Sequence, residues 1–224
     1  MTNLFSTFDP STNILNLSIN WLSTVMSIII LPCIYWINNS RLTFMWNKMS
    51  MKIYKEINTL IDFNKVKGSI IMLMSLMFML MINNSMGLFP YIFTSTSHIV
   101  YTMTMALPIW VMTMLYGWIN KTNHMFAHMV PQGTPIMLMS FMVIIETVSN
   151  MIRPGTLAIR LAANMISGHL LLTLVGNMGS NYSTKLMMII MSMQLLLIIL
   201  ESAVSMIQAY VFTMLSTLYI SETK

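Results

Sequence analysis

Read as a pattern of hydrophobic and polar positions, the chain alternates long apolar runs with short polar links. The first run, 14–37, "ILNLSINWLSTVMSIIILPCIYWI", is long enough at about 1.5 Å per residue to cross a ~30 Å hydrocarbon layer. Pro32 offers a kink in it, and Tyr35 and Trp36 suit an interfacial belt. Residues 41–67 carry a different period. Lys48, Lys52 and Lys55 fall on one helical face at i, i+4 and i+7, while Leu42, Met45, Met49, Ile53 and Ile57 form another. That pattern predicts an amphipathic helix lying in the membrane interface.

Two further apolar runs, about 69–90 and 98–119, predict a transmembrane hairpin. Their link "GLFPYIFTSTSH" reads as a turn, with Gly87, Pro90 and a Thr/Ser cluster. The chain then returns through "NKTNHMFAHMVPQGTP", which carries Lys121 and ends in Pro131, Gly133 and Pro135. The last two segments, 136–176 and 185–220, are joined by the turn "GNMGSNYSTK". Both are far longer than the ~20 residues a perpendicular span needs. A long, strongly tilted or near-horizontal helical hairpin over 136–220 is expected, with Pro154–Gly155 available as a bend.

Composition sharpens the class. Only 8% of the 224 residues are charged and 56% are hydrophobic, against roughly 25% charged in soluble domains. A water-exposed surface cannot be built from such a chain, so an all-α polytopic membrane protein of one domain, 1–224, is expected. The 29 Met residues are scattered through every apolar run, as adaptable filler would be. Cys33 is the one cysteine, and no disulfide framework exists within the chain.

Charge sets the topology. Between 41 and 67 six cations (Arg41, Lys48, Lys52, Lys55, Lys65, Lys67) face two anions (Glu56, Asp62), a net of +4. By the positive-inside rule this segment faces the cytoplasm or its organellar equivalent, and the N-terminus lies outside. The overall charge of +5 is thus a topology signal and no nucleic-acid footprint. "MTNLFSTFDP" has neither a basic n-region nor an Arg/Ser-rich presequence, so no cleaved targeting peptide is expected.

The chemistry lies in the polar residues that interrupt the last two runs. Glu146, Ser149, Asn150 and Arg153 share one helical face at i, i+3, i+4 and i+7. If the helix continues through Pro154, Arg160, Asn164 and Ser167 join that stripe, while His169 falls on the opposite side. Gln194, Glu201 and Gln208 recur every seven residues, with Ser205 on their face. An Arg or acid at mid-bilayer costs roughly 2.5–3.5 kcal/mol on insertion scales, so these stripes must face protein, water or each other. Glu146 and Arg153 can simply neutralise one another. Arg160 and Glu201 have no opposite charge within a helical turn, and His169 titrates near neutrality. Separated acids, an imidazole and a guanidinium that never deprotonates are the parts of a proton path.

Other chemistry finds little support. His124 and His128 in "HMFAH" stand at i, i+4, yet no third ligand accompanies them, and no metal is expected. Matches to N-x-[ST], such as Asn181-Tyr182-Ser183, are short and commonly accidental. There is no GxGxxG, P-loop, G-x-S-x-G or H-E-x-x-H pattern, so neither a nucleotide cofactor nor hydrolytic chemistry is indicated.

Four stretches carry a family resemblance: "IRPGTLAIRLAANMISGHLLL" (152–172), "MGLFPYIFTSTSH" (86–98), "YGWINKTNHMFAHMVPQGTP" (116–135) and "LESAVSMIQAYVFTMLSTLY" (200–219). With its specific R-L-x-x-N-x-x-x-G-H pattern, the chain resembles the F-type ATP synthase subunit a family, in its animal mitochondrial, insect-like form. The resemblance implies a proton-translocating stator subunit of the mitochondrial inner membrane, with its N-terminus in the intermembrane space and the basic helix on the matrix face. The Met excess fits an organelle-encoded gene.

The family further implies a ring of c subunits as rotating partner, together with peripheral-stalk and other membrane-sector subunits. Arg160 would be the essential arginine that faces the ring carboxylates and separates two offset half-channels. Asn164 would stand beside that interface, His169 and Glu201 would line the inlet, Gln208 would lie near the ring, and Glu146 would serve the matrix outlet. In bacterial relatives an acid and a histidine exchange places between the positions of His169 and Glu201, which suggests that the two are close in space. Asn150, Arg153, Gln194 and Ser205 are auxiliary candidates. ATP chemistry would belong to the soluble sector. A stand-alone proton-coupled secondary transporter is the alternative, and a purely structural subunit of satisfied polar pairs is another.

Overall fold

In a computed structural model, the described residues are 4–12, 17–32, 38, 40–61, 68–130, 135–179 and 184–222. Their longer elements are all helical: α1 (Ser23–Ile30), α2 (Arg41–Leu60), α3 (Ser69–Gly87), α4 (Ile99–Asn120), α5 (Thr122–His128), α6 (Met139–Met178) and α7 (Thr184–Glu222). Short 3-10 turns occupy Leu4–Phe8, Ile19–Leu22, Ser95–Ser97 and Ile136–Leu138. Helices α3, α4, α6 and α7 are long and apolar enough to cross a membrane, and the protein is an all-α polytopic membrane protein.

The first apolar run departs from its expected length. Among the described residues it is helical only from Ile19 to Ile30, well short of a ~30 Å span at about 1.5 Å per residue. Leu31 turns to ψ 124° immediately before Pro32, because the proline ring clashes with an αR residue ahead of it. Cys33, Tyr35 and Trp36 lie outside the described residues, as do Asp62, Lys65, Lys67, Pro131, Gly133 and the Asn181-Tyr182-Ser183 site.

Helix α2 starts where Ser40 caps it, its Oγ accepting from the Thr43 backbone N–H at 3.3 Å. Only the C-terminal end of its apolar face docks, while Leu42, Met45 and Met49 stay exposed. Ile57 and Ile61 are fully buried with Ile70 and Leu73 of α3, and Ile220 of α7 packs on them. Tyr210 of α7 donates its hydroxyl to Glu56 at 3.3 Å. The basic helix therefore lies against the start of α3 and the end of α7. Gly68, at φ +96°, makes the corner into α3 in a conformation that strains a residue with a Cβ.

The arms of the hairpin pack chiefly on other helices: α3 on α7, and α4 on α6. They are joined where Asn83 Nδ2 donates to the Tyr101 hydroxyl at 2.8 Å. The core lies between all four, with Leu80, Tyr101, Ala106, Ile109, Leu157, Ala158, Leu161, Ala209 and Phe212 buried together. Ala158 and Ala209 let the long helices approach closely, as small residues do in membrane bundles.

Two sequence expectations gain detail here. Pro154 does not break the long segment: α6 runs unbroken from Met139 to Met178, with Pro154 buried inside it. Proline costs one ladder bond, but leaving helical geometry in apolar surroundings would strand more backbone groups. At 40 and 39 residues, α6 and α7 are each about 60 Å long. Such rods fit a ~30 Å layer only when steeply inclined. The link 87–98 is a turn, as expected, and a largely buried one at its end. Thr94, Ser95, Thr96 and Ser97 are all buried, and the turn they form packs on α6, α4 and α3.

Candidate functional site

The seven-residue stripe of α7 faces α6, and the two helices run antiparallel. Gln194 stands over Gly176, its amide 4.0 Å from where a Cβ would sit. Glu201 lies against Gly168, where a Cβ would collide with its carboxylate. Gln208 accepts a hydrogen bond from Asn164 Nδ2 at 2.9 Å. Ser205 is buried on the same face and turns its hydroxyl back to the Ser202 carbonyl at 2.8 Å. Glycines on α6 thus make room for the polar side chains of α7.

At the end of the bundle where α3 finishes, the polar groups are deeply placed. Glu201 is only 6% exposed, and neither carboxylate oxygen has a hydrogen-bond partner among the described residues. A carboxylate buried without compensation costs several kcal/mol as an ion, so this group needs a proton or a hydrogen-bonding neighbour. His169 follows Gly168 directly. Its ring lies near the Gly87 backbone, meets Phe8 edge-on at 6.2 Å and leaves Nε2 buried with no hydrogen-bond partner among the described residues. The two groups are neighbours through Gly168, without a hydrogen bond between them among those resolved.

Sequence reasoning missed three residues at this end. Asn84, fully buried, has both polar side-chain atoms unpartnered, as are Thr96 Oγ1 and His98 Nε2. The His98 ring is wedged between Trp21 and Phe93, at 5.2 Å from each. Asn84 sits inside an apolar run and Thr96 inside a turn signal, so periodicity did not single them out.

The opposite end of α6 holds an ion cluster. Arg153 Nη2 is 3.8 Å from Glu146, while Nη1 forms a close ion pair with Glu222 of α7. The guanidinium also lies over the Tyr219 ring, 5.5 Å from its centroid. Asn150 and His128 share the cleft with Arg153, Tyr219 and Glu222. His124 and His128 stand 6.3 Å apart by ring centroid, with no group of three or more metal-ligating residues among the described residues. Glu222 was legible in principle: it falls fourteen residues after Gln208, on the same seven-residue register.

Arg160 stands between these ends and turns away from both. Leu157, Ala158, Leu161, Ala162 and Met165 bury one side of α6, whereas Thr156, Arg160, Ala163 and Ser167 share an exposed stripe. No ion pair joins Arg160 to any described residue. Along the axis it lies about 21 Å from Glu146 and about 14 Å from His169.

Comparison with known proteins gives this arrangement its context. A model of the family described as ATP synthase A chain matches residues 17–221. The chain is 61% identical over 222 residues to the ATP synthase subunit a of Locusta migratoria, covering 99% of each. It is 58% identical over 222 residues to that of Drosophila melanogaster and 58% over 223 to that of Anopheles gambiae, again covering 99% of each chain. The chain belongs to the ATP synthase A chain family, the proton-translocating subunit of the membrane sector.

Proposed function

We propose that the chain passes protons through two half-channels offset on either side of Arg160. His169 and Glu201 receive protons from one face, with Asn164 and Gln208 lining the interface beside Arg160. Glu146 releases them to the other face. The partner on the exposed stripe is a ring of c subunits whose carboxylates pass Arg160 one at a time. The guanidinium, which cannot deprotonate, keeps each passing acid ionised and blocks direct leakage between the half-channels.

The observation that supports this reading best is Arg160 itself. A permanent charge on an uncovered face of a membrane helix, without an ionic partner among the described residues, calls for an acid from another subunit. As a subunit of the ATP synthase the chain assembles with others of that complex. We take these to include the peripheral stalk, in the mitochondrial inner membrane, with the N-terminus in the intermembrane space and α2 on the matrix face. A stand-alone transporter finds no support among the relatives.

The test is Arg160→Gln in the assembled complex. Proton-driven ATP synthesis falls to background while the subunit remains assembled; synthesis at the normal rate would overturn the mechanism.

A further inference from the structure

The contacts of Arg153 are unequal. Its Nη1 edge is engaged by Glu222 and its face by Tyr219, both near the end of α7. Its Nη2 stops 3.8 Å from Glu146, inside ion-pair range but beyond the ~2.7–3.2 Å of an N–H···O hydrogen bond. Glu146, Arg153, Glu222 and His128 are the titratable and charged groups around this cleft, with Asn150 and Tyr219 beside them. All three charged groups at the centre are partly exposed, so both acids are open to protons from outside.

We propose that Glu222 is a positioning residue for proton release. With Tyr219 it holds the Arg153 guanidinium toward α7 and so prevents it from closing a bidentate pair on Glu146. A carboxylate locked edge-on to a guanidinium commits its oxygens to two charge-assisted bonds. It cannot take up a proton without breaking them, and the guanidinium has no proton to yield. At 3.8 Å Glu146 keeps the electrostatic neighbour that makes its charge tolerable in the membrane, yet its oxygens remain free for exchange. The end of α7 thereby sets how fast the outlet on α6 works. This inference rests on Glu146 serving the outlet.

The experiment uses five variants in the assembled complex: Glu146→Gln, Glu222→Gln, Glu222→Asp, Arg153→Gln, and Glu222→Gln in the Arg153→Gln background. ATP-driven proton pumping is read against the amount of assembled complex. Glu222→Gln slows pumping at least about fivefold, the low end of couplings between sites, and Glu222→Asp restores most of it. With Arg153 already replaced by Gln, Glu222→Gln causes no further loss, because the competing guanidinium is gone. A merely structural Glu222 would cause the same loss in both backgrounds, and that result overturns the proposal. So does a normal rate for Glu222→Gln alongside a slowed Glu146→Gln. If Glu146→Gln itself pumps normally, the outlet reading has failed, and this inference fails with it for that separate reason.

Discussion

Glu201 of α7 rests on Gly168 of α6 with no room for a side chain between them. The contact sets the buried acid against the residue that precedes His169, and a Cβ there would meet the Glu201 carboxylate. Gly168→Ala forces the carboxylate or the helix to move, at a cost of about 1–3 kcal/mol for overpacking. We expect a lower melting temperature and slowed proton uptake. Glu201→Asp, one methylene shorter, recovers thermal stability in the Gly168→Ala background; no recovery would mean that the carboxylate is not what the new methyl meets.

The Asn164–Gln208 hydrogen bond, at 2.9 Å, is a second tie between the long helices. Replacing Gln208 with Leu strands a partly buried amide and costs about 1–3 kcal/mol. Replacing both with Leu costs less than the sum of the singles, since neither partner is then left unsatisfied. Thermal unfolding of the four species of a double-mutant cycle measures the coupling, and strict additivity would remove the bond from the account.

Asn84 is fully buried with neither of its polar atoms satisfied among the described residues. Asn84→Leu removes that penalty, so the complex melts at the same or a higher temperature. Under the proposed inlet at His169 and Glu201, the same change slows proton-driven ATP synthesis. Gains in stability at the expense of rate mark functional polar groups; an unchanged rate makes Asn84 a structural residue.

The basic helix α2 is anchored by Ile57, wholly buried against Ile70 and Leu73. Ile57→Ala opens a cavity there and weakens the anchor by about 2–5 kcal/mol. Limited proteolysis then cuts 41–60 faster while α6 and α7 stay protected. Equal protection in the variant would show that α2 is held elsewhere.

Much of this is legible from residue spacing. The stripe Gln194–Glu201–Gln208 marks the face of α7 that meets α6, because a polar row that recurs every seven residues cannot face lipid. Arg160 stands apart in the sequence for the same reason that it stands apart in the fold: no acid lies within a turn of it. What spacing misses is tertiary. Glu222 reaches Arg153 across 69 positions, and Asn84 and Thr96 are buried only when α3, the 95–97 turn and α6 come together. Pro154 does not end the helix, because the cost of unpaired backbone in an apolar setting keeps it whole.

The unbroken course of α6 has one more consequence. Glu146, Arg153, Arg160, Asn164 and His169 are graduations on a single continuous helix, so their separations are set by the helical rise. Glu146 and His169 are therefore about 35 Å apart along the helix axis, too far for a proton to be handed directly from one to the other. Under the proposed mechanism, transit between them is made by a group that slides past this helix. On that reading the subunit supplies a scale of fixed spacings, and the steps are counted by whatever moves along it.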